Sequence, residues 1–405
     1  MNIKSAILTL SLLLSMNTWA GKTVTITVTN DENEQRQELV EIDLKTIVDK
    51  LALGEDDAFV VRNAFGQQVD YQVTYDGKLL IDVSVRPCGK AQFTVSKGVP
   101  EPMKTWVKGK MYPTRKDDIA WENDRGAYRV YGPALQRTGE KSFGTDVWTK
   151  NTPEIVVEDR YTADYDGNIL KNIYNKKGQK DKWRDEDLHT SFHLDHGNGL
   201  DCYSVGSTLG CGTPALMDGN TLIYPYCYKE YEILDNGPLR FTVALTYHPA
   251  KLKKDENVVE HRIMSLDKGS NFNKITVWYE GLTKPCDFAS GVVIHSEDKE
   301  SVVLGSNYVH YADPTDNPAK HNFQVYVAAL FPYVNVKTKM LKYYTPHKGI
   351  EGHALGILKK LENNQKYTYY AGSAWSKADV RTQREWQVRR DSFLKAIAMP
   401  LEVSI

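Results

Sequence analysis

A period of two runs through this chain. In "KTVTITVTN" (Lys22–Asn30), Val24, Ile26 and Val28 fall on one side and threonines on the other, the pattern of a half-buried strand. "VDYQVTYDGKLLIDVSV" reads as two strands joined at Asp76-Gly77, a pair suited to a tight hairpin turn. Strand-like runs continue with "GAYRVYGPAL", "TPEIVVEDRY", "DCYSVGS", "LRFTVALTYH", "NKITVWYEG", "SGVVIHSE", "FQVYVAALF" and "KYTYYAGSAW". Turn signals at Asn236-Gly237-Pro238 and Lys268-Gly269 punctuate them. Helical spacing is confined to "EIDLKTIVDKLAL" and, near the C-terminus, "WSKADVRTQREWQVRRDSFLKAIA". An all-β chain follows. A small β-sandwich of immunoglobulin-like size is expected over residues 22–100, and two large stacked antiparallel sheets over 101–405. The proline-containing "KGVPEPMKTW" is the expected linker between them.

Residues 1–20 combine an early lysine (Lys4), an apolar run over about 6–14 and a small-residue exit at Ala20. That is the pattern of a secretory signal peptide, so the protein is expected to be exported, periplasmic or extracellular, with no transmembrane segment. A formal net charge of −1 supplies no basic field for nucleic acid. The 24 tyrosines and 8 tryptophans suit either sugar-stacking clefts or ordinary strands. Five cysteines match no zinc pattern. Cys202 and Cys211 flank a glycine-rich stretch and suit a disulfide in an oxidising compartment, with buried free thiols as the alternative.

Two stretches concentrate chemistry. "RKDDIAWENDRGAYRVYGPAL" (115–135) crowds Arg115, Asp117, Asp118, Glu122, Asp124, Arg125 and Arg129 around Trp121. Arg125 has the fork geometry to bind a substrate carboxylate, and Trp121 the face to stack on a sugar. An internal arginine–carboxylate network is the competing reading. "SFHLDHGNGLDCYSVGSTLGCG" (191–212) is expected to form a glycine-rich hairpin, with Ser191, His193 and Asp195 on one strand face. Its turn would bring His193, His196, Asp201 and Tyr203 together. Histidine suits proton transfer at neutral pH, and tyrosine does where a cation lowers its pKa. A divalent metal held by His189, His193, Asp195 and His196 is the alternative, although the spacing fits no zinc motif. Outside these stretches, His295, followed by Glu297 and Asp298, is a further candidate substrate contact. Serine-hydrolase elbows, HExxH and phosphate-cradling loops are absent from the sequence.

These two motifs resemble the secreted Bacteroidetes family catalogued as a domain of unknown function, DUF4861. The likeness rests on Arg115 to Leu135 and on the His-x-Asp-His-Gly-x-Gly-x-Asp-x-Tyr segment, His193 to Tyr203, and extends over nearly the whole chain. It implies a galactose-mutarotase-like supersandwich behind a small β-domain, in a polysaccharide-utilisation setting, and a similarity to a protein that dehydrates uronic acids on ulvan oligosaccharides. It carries no residue-by-residue catalytic assignment.

The residues suit that chemistry. Elimination across C4–C5 of a uronic acid needs the carboxylate neutralised, by Arg125 or a metal, and a base and an acid. His193, His196 and Tyr203 are the types required, with Asp201 or Asp195 orienting a histidine. A dehydratase and a polysaccharide lyase share this chemistry. The alternatives are an epimerase, mutarotase or glycoside hydrolase, the last using Glu122 and Asp124 as its carboxylate pair. A non-catalytic glycan-binding protein stacking sugars on Trp121 is a further alternative.

Overall fold

The computed structural model describes residues 22–405 apart from 296–298, 300, 316–321, 334 and 348. The signal-peptide reading at 1–20 and the acidic pair Glu297 and Asp298 lie outside the described residues. No described helix is long and apolar enough to cross a membrane.

The alternation read from "KTVTITVTN" forms strand Thr23–Asn30, whose Val24, Ile26 and Val28 enter the first core. Two sheets enclose that core. One runs Glu402–Ser404, Thr23–Asn30, Gly89–Lys97, Phe59–Asn63, and the other Arg36–Asp43, Lys78–Val85, Tyr71–Val73. Gly77 turns the expected hairpin at a φ of 74°, its N–H on Thr74 O at 3.0 Å. The expected helix is α1 (Leu44–Leu51), capped by Asp43, which accepts from Lys45 N. Strand Glu402–Ser404 pairs with Thr27–Thr29, so the end of the chain crosses the boundary expected at residue 100.

Beyond it lies the larger sandwich. An antiparallel sheet runs in the order Tyr228–Asn236, Arg240–Tyr247, Asp255–Asp267, Phe272–Glu280, Tyr367–Trp375, Val325–Leu330, Tyr308–Asp313, Val303–Leu304. A five-stranded sheet centres on Cys286–His295 and Ile350–Leu361. Phe241, Phe288, Val292, Tyr311, Phe331 and Tyr369 form the core of this unit. The expected architecture, a small β-sandwich followed by a larger one, is the one observed. Cys202 and Cys211 are both buried and are not bridged to each other, so of the two readings of the glycine-rich stretch the buried-thiol alternative is the one observed.

A third sheet positions the chemistry. Its order is Asp146–Thr149, Gly126–Val130, Asp118–Glu122, Lys108–Tyr112. Ile119, Trp121, Tyr128, Val130 and Val147 face the large core. The alternate residues Ala120, Ala127 and Trp148 pack with Tyr112 under a helical hairpin. A short helix, α2 (Pro133–Arg137), follows the second strand.

The helical hairpin departs from expectation. "TPEIVVEDRY" is not a strand but leads into α3 (Val157–Lys176), which returns as α4 (Lys180–Thr190). The buried positions of α3 are Val157, Arg160, Tyr161, Asp164, Gly167 and Lys171, spaced helically but half of them charged. A polar buried face leaves no apolar period to read. Gly167 lets α4 close in, since a Cβ there would sit 2.0 Å from Thr190 Oγ1. The last helix, α5 (Gln383–Ala398), lies where the sequence predicts it.

Candidate active site

Strand alternation sends Asp118, Glu122, Arg129, Asp146 and Trp148 to the face of the third sheet that lies under α3. Arg129 stands opposite Ala120 on one side and Asp146 on the other. Its guanidinium is buried and contacts three carboxyls: Asp146, Asp201 at 3.0 Å and Asp118 at 3.7 Å. Burial pushes Asp118 up to about 6 against the pull of Arg129. Burial, reinforced by Asp201, pushes Asp146 up to about 7 despite Arg129. Arg129 Nε and Nη1, Arg115 Nε and the Tyr161 hydroxyl are buried without a hydrogen-bond partner among the described residues. Orphaned donors of this kind are costly and mark a place for water or ligand oxygen.

The glycine-rich stretch is not a hairpin. After α4 it runs as an irregular loop across the edge of the third sheet. Asp201 N–H bonds Phe192 O at 2.9 Å, and Thr149 N–H bonds Leu200 O at 2.9 Å. Arg160 of α3 reaches Thr149 O and both oxygens of Asn198. Gly199 takes a φ of +106°, with its Cβ position 2.1 Å from Thr149 O, so only glycine fits there. The glycines serve close backbone approach, and polar loop–helix contacts replace the strand pairing expected from the sequence.

This loop brings His193 to Asp201 but ties His196 to Ser191 and buries Tyr203. His193 is exposed, and its Nδ1 lies 3.0 Å from Asp201 O and 3.8 Å from Asp201 Oδ2. A carbonyl acceptor puts the proton on Nδ1 and leaves Nε2 as a lone-pair base. Beside it, the Phe192 ring lies 4.5 Å from the imidazole, and the Arg115 guanidinium lies 4.8 Å from that ring. His196 Nε2 is tied to Ser191 O at 2.9 Å. Asp195 accepts from Gly197 N, Gly199 N and Lys377. Burial opposes its ionisation, but these hydrogen bonds, led by that from Lys377, hold its carboxyl below the usual range. It orients the loop rather than a histidine.

Several expected roles fail on burial or on partners the side chain already holds. Trp121 is 1% exposed, stacked with Tyr128 and Phe241, and bonded to Asn273, so no sugar reaches it. Glu122 is spent on Lys150 and on the N–H groups of Val156 and Val157 at the start of α3. Asp124 accepts from Gly269 N, and Arg125 is bound to Asp379 and Gly269 O at the far end of the hairpin from Asp118. Tyr203 is buried, and burial raises its pKa far above the ordinary value instead of a cation lowering it. His295 is buried, with Nδ1 2.7 Å from Asp313 Oδ2 and Nε2 3.1 Å from Ser204 O, so both ring nitrogens serve the protein interior.

The proposed metal ligands do not fit one ion. His189 sits on α4 with Nδ1 on Asp185 O at 2.6 Å, while His193, Asp195 and His196 are each committed to other partners. Among the described residues no group of three His, Cys, Asp or Glu is arranged to hold a metal. Arg129, one of the charges of the 115–135 segment, joins the internal arginine–carboxylate network that is the competing reading there, while Tyr161 lies in α3, where a strand is expected from the sequence. A charge inside "AYRVY", whose neighbours are all buried, was the available signal.

The model of a family described as a domain of unknown function, DUF4861, matches residues 28–403. The chain belongs to the DUF4861 family. A relative from Formosa agariphila, uncharacterized protein P7, is 26% identical to this DUF4861 chain over 339 residues, covering 81% of this chain and 78% of that one. Among solved structures, a glycosyl hydrolase family 38 protein from Enterococcus faecalis is 9% identical with a TM-score of 0.49. It is matched over 95% of this chain and 47% of that one. An α-mannosidase from the same species is 11% identical with a TM-score of 0.45, over 95% and 46% of the two chains. The DUF4861 chain thus spans about half the length of the solved structures it matches.

Proposed function

We propose that this protein is an exported carbon–oxygen lyase that eliminates across C4–C5 of a uronic acid in an oligosaccharide. The observation that carries the reading is His193. Its Nδ1–H is committed to Asp201 O, its ring is open to solvent, and the Arg115 guanidinium lies on the neighbouring Phe192 ring.

In this mechanism Arg115 takes the uronate carboxylate. Its charge makes the C5 proton acidic and stabilises the enolate-like intermediate as charge moves onto the carboxylate oxygens. His193 Nε2 removes the C5 proton. The C4–O bond then breaks, the C4=C5 double bond forms, and the imidazolium returns its proton to the departing hydroxyl, so one water leaves. A glycosidic oxygen at C4 in place of the hydroxyl would make the same step a chain cleavage.

The test is to mix the protein with oligosaccharides bearing a saturated terminal uronic acid and follow ultraviolet absorbance and product mass. New absorbance with loss of one water supports a dehydratase, and new absorbance with chain scission a polysaccharide lyase. Solvent deuterium entering C5 without loss of water would replace the reading with epimerisation. No change on a broad panel of uronate oligosaccharides would overturn it.

A further inference from the structure

Arg129 is buried and does not face solvent, yet it reaches the exposed histidine in two steps. Its Nη2 bonds Asp201 Oδ2 at 3.0 Å, and the same aspartate offers its backbone oxygen to His193 Nδ1 at 3.0 Å. The carboxylate Oδ2 lies 3.8 Å from that nitrogen. On its other side Arg129 is anchored by Asp146, which also accepts from Val147 N at 2.8 Å and Trp148 Nε1 at 3.1 Å. Asp118, the third carboxyl, accepts from Gly132 N at 3.1 Å.

We propose that Arg129 is a positioning residue for His193, acting through Asp201 to fix the Nδ1–H tautomer and to set how much carboxylate charge the imidazole feels. The proposal rests on His193 being the reactive base, but its geometry stands without any assignment of substrate. One guanidinium among three buried carboxyls cannot balance them all when ionised, and the surplus is relieved by protons retained on Asp118 and Asp146. Asp201 is the member of the three whose backbone oxygen reaches His193. Asp164 of α3 also interacts electrostatically with His193, and Arg115 and Lys171 in turn act on Asp164.

The test is an imidazole ¹⁵N titration of the full protein, with His193 assigned by His193→Gln. Asp201→Asn keeps the backbone acceptor and removes the charge, so the His193 midpoint is expected to fall by about 0.5–1 pH unit, the size of a solvent-facing pair near 4 Å. Arg129→Gln is expected to raise it, and Arg129→Lys, which keeps the charge, to leave it within about 0.2 unit of the wild type. A His193 midpoint that ignores Asp201→Asn overturns the proposal, whether or not the Arg129 variants fold. These readings are independent of turnover. If the protein is a lyase, the acidic limb of its kcat/KM profile moves with the same midpoint, which a merely structural Arg129 would not do. If it has no lyase activity, the titration still decides the relay.

Discussion

Lys150 donates to Glu122 across 2.6 Å, with the two side chains 0% and 2% exposed. The ammonium also bonds Asn123 O at 2.7 Å and Glu154 O at 2.6 Å, while the carboxylate caps the N–H groups that open α3. A buried pair is worth little against an apolar substitute, but removing one member strands the other. Glu122→Ala is therefore expected to cost about 3–5 kcal/mol in urea unfolding. Glu122→Gln should cost less, because its amide oxygen still accepts from the α3 N-terminus. A Glu122→Gln protein of full stability but without turnover would return this residue to catalysis.

The same pair shows what was legible in the sequence. Alternation gave the strands, and it also determines that Trp121 and Glu122 point to opposite faces. Which face is core depends on α3, and α3 was hidden because Arg160, Asp164 and Lys171 fill its buried side while Ile169 and Ile173 are exposed. Of the candidate site, His193 was visible as a residue type and Asp201 as its neighbour. Arg129 was legible as a charge within a dense arginine–carboxylate segment, but its link to His193 through Asp201 depends on long-range register that no local pattern encodes.

Trp121 provides a direct check of that face assignment. Its ring packs 5.9 Å from Phe241 and 6.2 Å from Tyr128, and Nε1 bonds Asn273 Oδ1 at 2.7 Å. Trp121→Ala should lose about 3–5 kcal/mol of stability. Any glycan affinity of Trp121→Phe, measured where that variant remains folded, should match the wild type. A selective loss of affinity in Trp121→Phe would contradict its place in the core.

Stability should depend on pH in two opposed ways. Burial, with the charge of His295, lowers His353 to about 3, and burial, with Arg390, lowers His310 to about 4. Unfolded histidine protonates near 6.5, so these groups contribute stability above that pH and lose it as pH falls toward their folded values. Asp146 and Asp118, raised to about 7 and about 6, act in the opposite sense. Their contribution is complete below the unfolded carboxyl value and is lost as pH rises through 6 and 7. Relative to the wild type, His353→Asn should gain about 1.4 kcal/mol per unit as pH falls from 6.5 toward 4. Asp146→Asn should gain as pH rises from 4 to 7. Denaturant melts at stepped pH measure both, and slopes of the same sign would refute the pair.

Replacing the base should separate chemistry from folding. His193 is exposed, so His193→Gln is expected to leave stability within about 0.5 kcal/mol. Elimination on a uronate oligosaccharide should fall by about 10²–10⁴-fold. Arg115→Ala should lose turnover as well, through carboxylate binding. Retained turnover in His193→Gln would remove this histidine from the mechanism.

Gly199 tests the loop without touching a chemical group. Its φ of +106° is unfavourable for any side chain, and the Cβ position lies 2.1 Å from Thr149 O and 2.9 Å from Arg160 Nη2. Both neighbours hold the loop, Arg160 through Asn198 and Thr149 through Leu200. Gly199→Ala must therefore push the loop off the sheet edge just before Asp201, at a backbone cost of about 1–3 kcal/mol beyond the clash. The expected outcome is a protein with its large core intact, a reduced unfolding free energy, and a His193 ¹⁵N tautomer signal no longer fixed at Nδ1–H. Wild-type tautomer and turnover in Gly199→Ala would mean that the histidine is held by its own helix end and not by the contact with Asp201.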